Sequence, residues 1–261
     1  SDVVLSIISS DTGEATVTSS LTFTSANWDT AQTVTVTGAD DDLVDGTVSS
    51  TTTISVIDAA SDNNFDGVAD QTVSVSTTDD DVAGFTIVEL EGSTAVDESG
   101  TTDTFTVVLN AQPDSDVVVA ITSSDTGEAS SNSPLTFTSS NWDTAQTVTV
   151  TGVDDFLLDG TITSDLVVAI VDASSDNNFD GVADQTVSVT TVDDDVAGFT
   201  IAETEGSTGV TEAGGTDTVT IVLNAQPDSD VVLSIISSDT GEATVTSSLT
   251  FTSANWDTAQ T

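Results

Sequence analysis

The residues best equipped for chemistry in this sequence are carboxylates. Asp79, Asp80 and Asp81 stand side by side, ahead of Val82-Ala83-Gly84-Phe85. The same seven letters recur as Asp193, Asp194 and Asp195 followed by Val196 to Phe199, 114 positions later. Two unit charges about 4 Å apart repel by ~1 kcal/mol in water and by ~4 kcal/mol at an effective dielectric near 20. The chain has no Lys, Arg or His to relieve that repulsion, and its 45 acids give a formal charge of −45. Such aspartates either stand apart in water or draw a cation from solution. Calcium suits them, because it takes about six to eight hard oxygen ligands in a flexible geometry.

More acids follow strand-like runs. Asp154, Asp155 and Asp159 follow the fifth run of the complete repeat, Asp125 follows the third, and Glu89 and Glu91 end the first. Asp40, Asp41 and Asp45 are the counterparts of the fifth-run set, one repeat earlier. In an antiparallel sandwich the ends of alternate strands lie at one pole, so these loops converge there and offer a calcium site. A solvated acidic rim, as in proteins adapted to high salt, is the alternative. Clustered triplets favour calcium, since a rim has no need to cluster.

A second pattern is SDNNFDGVADQ at 61–71, repeated at 175–185. Asp62, Asn64, Asp66, Gly67 and Asp70 occupy places 1, 3, 5, 6 and 9 of a calcium loop, as do Asp176, Asn178, Asp180, Gly181 and Asp184. Alternate short oxygens point inward and the glycine permits the sharp turn. The twelfth place is Val73 rather than Glu and no helices flank it, so this is a calcium-loop fragment between strands, not an EF-hand. A plain Asx-Gly turn is the simpler alternative.

Trp142, with Trp28 and Trp256 at the same place in their copies, could be a sugar platform. Packing over a sandwich edge accounts for it more simply, since Trp usually buries most of its surface. Catalysis by paired carboxylates needs an acid held in an apolar pocket, and no pattern marks one. Without His, Cys, Lys or Tyr there is little else to act as nucleophile or base, so no enzyme is expected.

Composition narrows the partners. Phosphate binding depends on Lys and Arg, so their absence argues against nucleic acid and equally against anionic membrane surfaces. There is no Cys, hence no disulfide and no thiolate site. No apolar run approaches a membrane span and no signal peptide is present. The sequence reads as an excised piece of a longer chain.

The elements that position these acids are strands in a long repeat. Residues 1–33 recur letter for letter at 229–261 and in altered form at 115–147, a period of 114 that matches a whole small domain. Within one period the runs Phe85–Val88, Phe105–Leu109, Val117–Ile121, Leu135–Phe137, Val148–Val150, Leu166–Val171 and Val187–Val189 are apolar or alternate with Thr. Acidic, Ser/Thr-rich chains are often disordered, but disorder has no reason to hold that phase. Seven strands and no helix predict an all-β fold of tandem antiparallel immunoglobulin-like sandwiches. One complete repeat is expected at 82–195. Residues 1–81 would lack its first two strands, and 196–261 would carry them and lack the last three.

The complete repeat resembles Calx-beta domains, and still more the tandem extender repeats of large bacterial surface adhesins secreted by the type I (RTX-type) route. The residues that carry the likeness are TFTSSNWDTAQTVTVTGVDD at 136–155, LLDGT after it, and VSVTTVDDD at 187–195. The resemblance covers essentially all 261 residues. It implies calcium held by a first-strand Glu (Glu89 or Glu91), Asp125, Asp154, Asp155 and Asp193 to Asp195. Phe156, standing where the first copy has Asp42, departs from that pattern. The implied function is a secreted, extracellular spacer stiffened by calcium within and between domains. Its partners would be the neighbouring identical repeats, with head-to-tail association of copies through the incomplete flanks. A calcium-assisted glycan-binding module and a filament or surface-layer subunit are the other readings.

Overall fold

The computed structural model describes residues 1–261, the side chain of Glu91 excepted. The chain is all-β, with only three-residue 3-10 turns between strands. The central repeat has nine strands: β1 (Phe85–Glu89), β2 (Thr94–Asp97), β3 (Thr102–Leu109), β4 (Val117–Ser123), β5 (Ala129–Ser131), β6 (Leu135–Phe137), β7 (Gln146–Gly152), β8 (Ile162–Ile170) and β9 (Gln185–Val192). They form two sheets, β5-β7-β3-β1 and β6-β4-β8-β9-β2, packed as an immunoglobulin-like sandwich.

The alternation in the sequence decides which side chains face inward. Phe105, Val107 and Leu109 of β3, and Val148 and Val150 of β7, line one inner face. Val117, Val119 and Ile121 of β4, Leu166 and Val168 of β8, and Val187 and Val189 of β9 line the other. The register places Val148 opposite Phe105 and Leu166 opposite Val187, so one continuous core forms around Phe137 and Phe179. Each of these buried side chains contributes about 1.5–3 kcal/mol by leaving water.

Two strands exceed the seven expected. β5 is a three-residue edge whose only apolar residue is Ala129, so no alternation marks it. β2 arises because the chain does not pass directly from the end of β1 at Glu89 to β3. The 3-10 turn Leu90–Gly92 carries the chain across to the other sheet, where Thr94–Asp97 pairs in parallel with β9. The sandwich is therefore antiparallel except along this pair.

The same ladders recur in the flanks. Residues 3–77 form a sheet in the order Ser20–Phe23, Val3–Ser9, Val48–Val56, Gln71–Thr77, the counterpart of β6-β4-β8-β9. Residues 199–251 hold the pair Phe199–Glu203 and Val219–Leu223, matching β1 and β3, and the pair Val231–Ser234 and Ser248–Phe251, matching β4 and β6. Every ladder joins strands of one repeat, and only single bridges pass between repeats. Among the described residues no helix is long and apolar enough to cross a membrane.

Candidate metal centre

The parallel pairing of β2 with β9 builds the site. It runs Val189–Val192 beside Thr94–Asp97 and ends with the Glu98 amide donating to the Val192 carbonyl at 3.1 Å. Glu98 is thereby set beside the acids that follow β9. The turn after it lies against β7, where the Gly152 amide donates to the Thr101 carbonyl at 3.0 Å. A Cβ at Gly152 would collide with the Asp97 carbonyl, so only glycine lets β7 pass so close.

Glu128 enters from the other sheet, just before β5. Its carbonyl accepts from the Val153 amide at 2.9 Å and the Thr191 hydroxyl at 3.4 Å, which ties it to the ends of β7 and β9. The loop after β7 is braced from below. Asp193 accepts from the Gly160 amide at 2.8 Å through one carboxylate oxygen and from the Asp195 amide at 2.7 Å through the other. Asp155 accepts from the Leu157 amide at 2.6 Å.

Two groups of three carboxylates result, Glu98 with Asp155 and Asp195, and Glu98 with Glu128 and Asp159. In each group the oxygens lie within 4.8 Å of one another. Glu98 is 1% exposed and Glu128 5%. One oxygen each of Glu98, Glu128 and Asp195 is buried without a hydrogen-bond partner. Ionised pairs at such separation repel by about 3 kcal/mol each at an effective dielectric near 20. Burial, then the charges of Asp155, Asp193, Glu128 and Asp159, push the Glu98 carboxyl up to about 7. Burial and then Asp159 and Asp125 raise Glu128. Burial followed by Asp155 and Asp193 raises Asp159, and burial followed by Asp193 and Asp194 raises Asp195. All four shifts share one cause: buried anions without a counter-charge.

The donor set is oxygen only, it draws on four loops, and three of its oxygens are buried with no partner. That fits calcium, a hard cation of high coordination number, and fits none of the metals that need imidazole or thiolate. In the first repeat the counterparts Glu14, Asp41, Asp45, Asp79 and Asp81 lie near one another, but the two close carboxylate groups are those of the central repeat. There burial and then Asp45 raise Glu14, while burial and then Asp79 raise Asp81.

The residues singled out from sequence distribute as follows. Asp155, Asp159 and Asp195 enter the two groups. Asp193 acts as the brace, and its counterpart Asp79 accepts from the amides of Asp45, Gly46 and Asp81. Asp125 closes a turn through the Gly127 amide at 3.0 Å and stands beside Glu128. Asp154, Asp194, Asp40 and Asp80 rim the pole as charges near Asp195 and Asp81. Glu89 accepts from the Thr94 hydroxyl at 3.1 Å and joins neither group; Glu91 lies outside the described side chains. Glu98 and Glu128, missed in the sequence, are the acids that converge.

The 61–71 and 175–185 segments are built differently. Asp176 is buried and caps the 3-10 turn Asn177–Phe179. Its carboxylate accepts from the Asn178 amide at 2.9 Å and the Ser115 amide at 2.9 Å. The turn delivers Phe179 into the core. The Asn178 side chain donates to the Val44 carbonyl, and Asp180 and Asp184 are exposed. Asp62 likewise accepts from the Asn64 amide and side chain, with Asp66 and Asp70 exposed. Neither segment enters a group of three close carboxylates, and the Asx-turn geometry accounts for the pattern.

No family model matches this chain, and no curated protein does. Among solved structures it is similar to an apo-form Calx CBD1 domain, with 15% identity, a TM-score of 0.31, and coverage of 42% of this chain and 98% of that one. It is similar to domains 1–6 of the surface layer protein SbsC, with 16% identity, a TM-score of 0.34 and coverage of 88% of this chain. The chain spans 25% of that S-layer fragment's length. The E. coli chaperone DraB gives 9% identity and a TM-score of 0.32 over 57% of this chain and 90% of that one. At these identities and scores the matches say nothing about what the chain binds.

Proposed function

We propose that this chain is a run of calcium-binding spacer repeats from a secreted cell-surface adhesin, with no catalytic step. The observation that carries the calcium reading is the pole of the central sandwich. There two carboxylate groups share Glu98, three of their oxygens are buried and unpartnered, and the chain has no basic side chain to answer them. Bound calcium would be held by Glu98, Glu128, Asp155, Asp159 and Asp195 and would supply the missing positive charge. The residues do the rest: Asp193 holds the Gly160 end of the loop, and Asp155 its own turn at Leu157. Near-identical copies in tandem suit a rod that spaces something else, since the same acid motifs recur at the 114-residue period.

Extracellular calcium modules bind at roughly 10⁻⁴ to 10⁻³ M. The test is a calcium titration followed by calorimetry and thermal unfolding, on wild type and Glu98→Gln. Wild type should take up calcium and melt higher, and the variant should do neither. A wild-type chain indifferent to both calcium and chelator ends the reading. X-ray scattering with and without chelator tests the stiffening, which predicts a shorter particle without calcium.

A filament or surface-layer reading has one observation behind it. In the first repeat Val3, Leu5, Phe23, Trp28 and Val56 line an open apolar groove, and Trp28 is 71% exposed. Their counterparts Val117, Val119, Phe137, Trp142 and Ile170 form or pack on the core beneath β1 and β3. The 199–223 segment of a second copy carries strands of that kind. The glycan reading has less behind it, because Trp142 is half-buried against the core.

A further inference from the structure

The loop after the β7-type strand crosses from each repeat to the next. From the first repeat, Leu43 forms a parallel bridge with Gln112, whose amide donates to the Asp42 carbonyl at 2.6 Å. Val44 packs against the central core. From the central repeat, Leu157 bridges Gln226, whose amide donates to the Phe156 carbonyl at 2.7 Å. Leu158 lines an apolar groove with Phe199, Leu223 and Pro227. Backbone and aliphatic contacts are thus common to both joints.

The joints differ at Ala39/Val153, Asp42/Phe156 and Val44/Leu158, and only at the first does the Val44 amide donate to the Gln112 carbonyl, at 3.3 Å, and the Asn178 side chain to the Val44 carbonyl, at 2.6 Å. Phe156 meets Trp256 with ring centroids 5.5 Å apart and planes tilted by 46°. That separation lies in the range where tilted aromatic pairs attract. The first joint has Asp42 in place of Phe156, and Trp142 has no aromatic partner among the described residues. None of these contacts uses a carboxylate side chain. Charge works against docking instead. Besides burial and the acids of its own repeat, Asp159 is raised by Asp228 of the next, and Asp45 by Asp114. The apolar contacts must outweigh that repulsion, which salt screens.

We propose that the Asp154–Gly160 loop is an apolar latch, with Phe156 on Trp256 and Leu158 beside Phe199, that fixes the third repeat against the central one without a bound cation. The inference does not rest on the calcium reading.

The full chain has no Cys, so label pairs can be introduced cleanly. Nitroxides at Ser188→Cys and Thr250→Cys, both exposed positions, report the latched joint by electron double resonance. The Ser188–Thr250 distance should be single and narrow in calcium and in EDTA alike. Phe156→Asp should raise the undocked population roughly three- to tenfold. Leu158→Ser, at a second exposed position, should also broaden the distribution. The latch is overturned if EDTA alone broadens the Ser188–Thr250 distance as far as Phe156→Asp does, or if both loop variants leave it unchanged. Glu98→Gln should not move this distance, so a failure of calcium binding and a failure of the latch give different signatures.

Discussion

Glu98 should destabilise the sandwich without calcium and stabilise it with calcium, and one substitution can display both signs. Its carboxyl stands at about 7 in the folded chain against an ordinary 4.5. That gap corresponds to about 3 kcal/mol. The group is raised, so the folded state holds its proton more tightly than the unfolded chain does. Below about pH 4.5 the side chain is protonated in both states and costs nothing. As pH rises through about 7 the buried group ionises and the full penalty appears. The chelated chain should therefore lose stability between pH 4.5 and 7.5, with Glu128, Asp159 and Asp195 adding in the same direction. Glu98→Gln removes the largest of these penalties, so in EDTA at pH 7.5 the variant should be the more stable by up to about 3 kcal/mol. Calcium at ten times its dissociation constant adds about 1.4 kcal/mol per site to wild type. Glu98 belongs to both carboxylate groups, so the variant should gain little. Urea unfolding at pH 5 and pH 7.5, in EDTA and in calcium, reads all four corners. A variant less stable than wild type in EDTA at pH 7.5, or one that calcium stabilises as fully as wild type, would refute the reasoning.

Three further outcomes test the architecture. Gly152→Ala should cost several kcal/mol, because its Cβ would meet the Asp97 carbonyl, and calcium affinity should fall with it. Calorimetry alongside thermal unfolding separates the two losses. Asp176→Ala should lower stability by about 1–2 kcal/mol through the lost cap, leaving the calcium response intact; a lost response would restore that segment as a ligand loop. Analytical ultracentrifugation over a concentration series should show self-association if a second copy fills the open groove of residues 3–56. A monomer at every concentration, with both flanks protease-resistant, would remove the filament reading.

Much of this was legible in the sequence, for a definite reason. The two-residue period of Phe105, Val107 and Leu109 leaves one way to face a core, so the strands and their inner faces follow from hydrophobicity alone. The recurrence of residues 1–33 at 115–147 in altered form and at 229–261 letter for letter sets the 114-residue period, and the absence of any cationic side chain states the electrostatic problem. The tertiary structure alone decided which carboxylates meet. Glu98 and Glu128 are 30 residues apart, and the first-strand acids the sequence offers are Glu89 and Glu91. A signal was present: Thr94 and Val96 alternate just before Glu98, and Asp-Thr-Gly-Glu-Ala recurs at 11–15, 125–129 and 239–243. What converts it into a site is a parallel β2–β9 pairing formed after the chain changes sheets. Pairing between distant strands is set by how the two sheets close on each other, and local pattern carries no record of that closure. The same limit hid the Asp176 cap: the spacing of its oxygens is visible in the letters, but their capture by the amides of Ser115 and Asn178 exists only once the chain is folded.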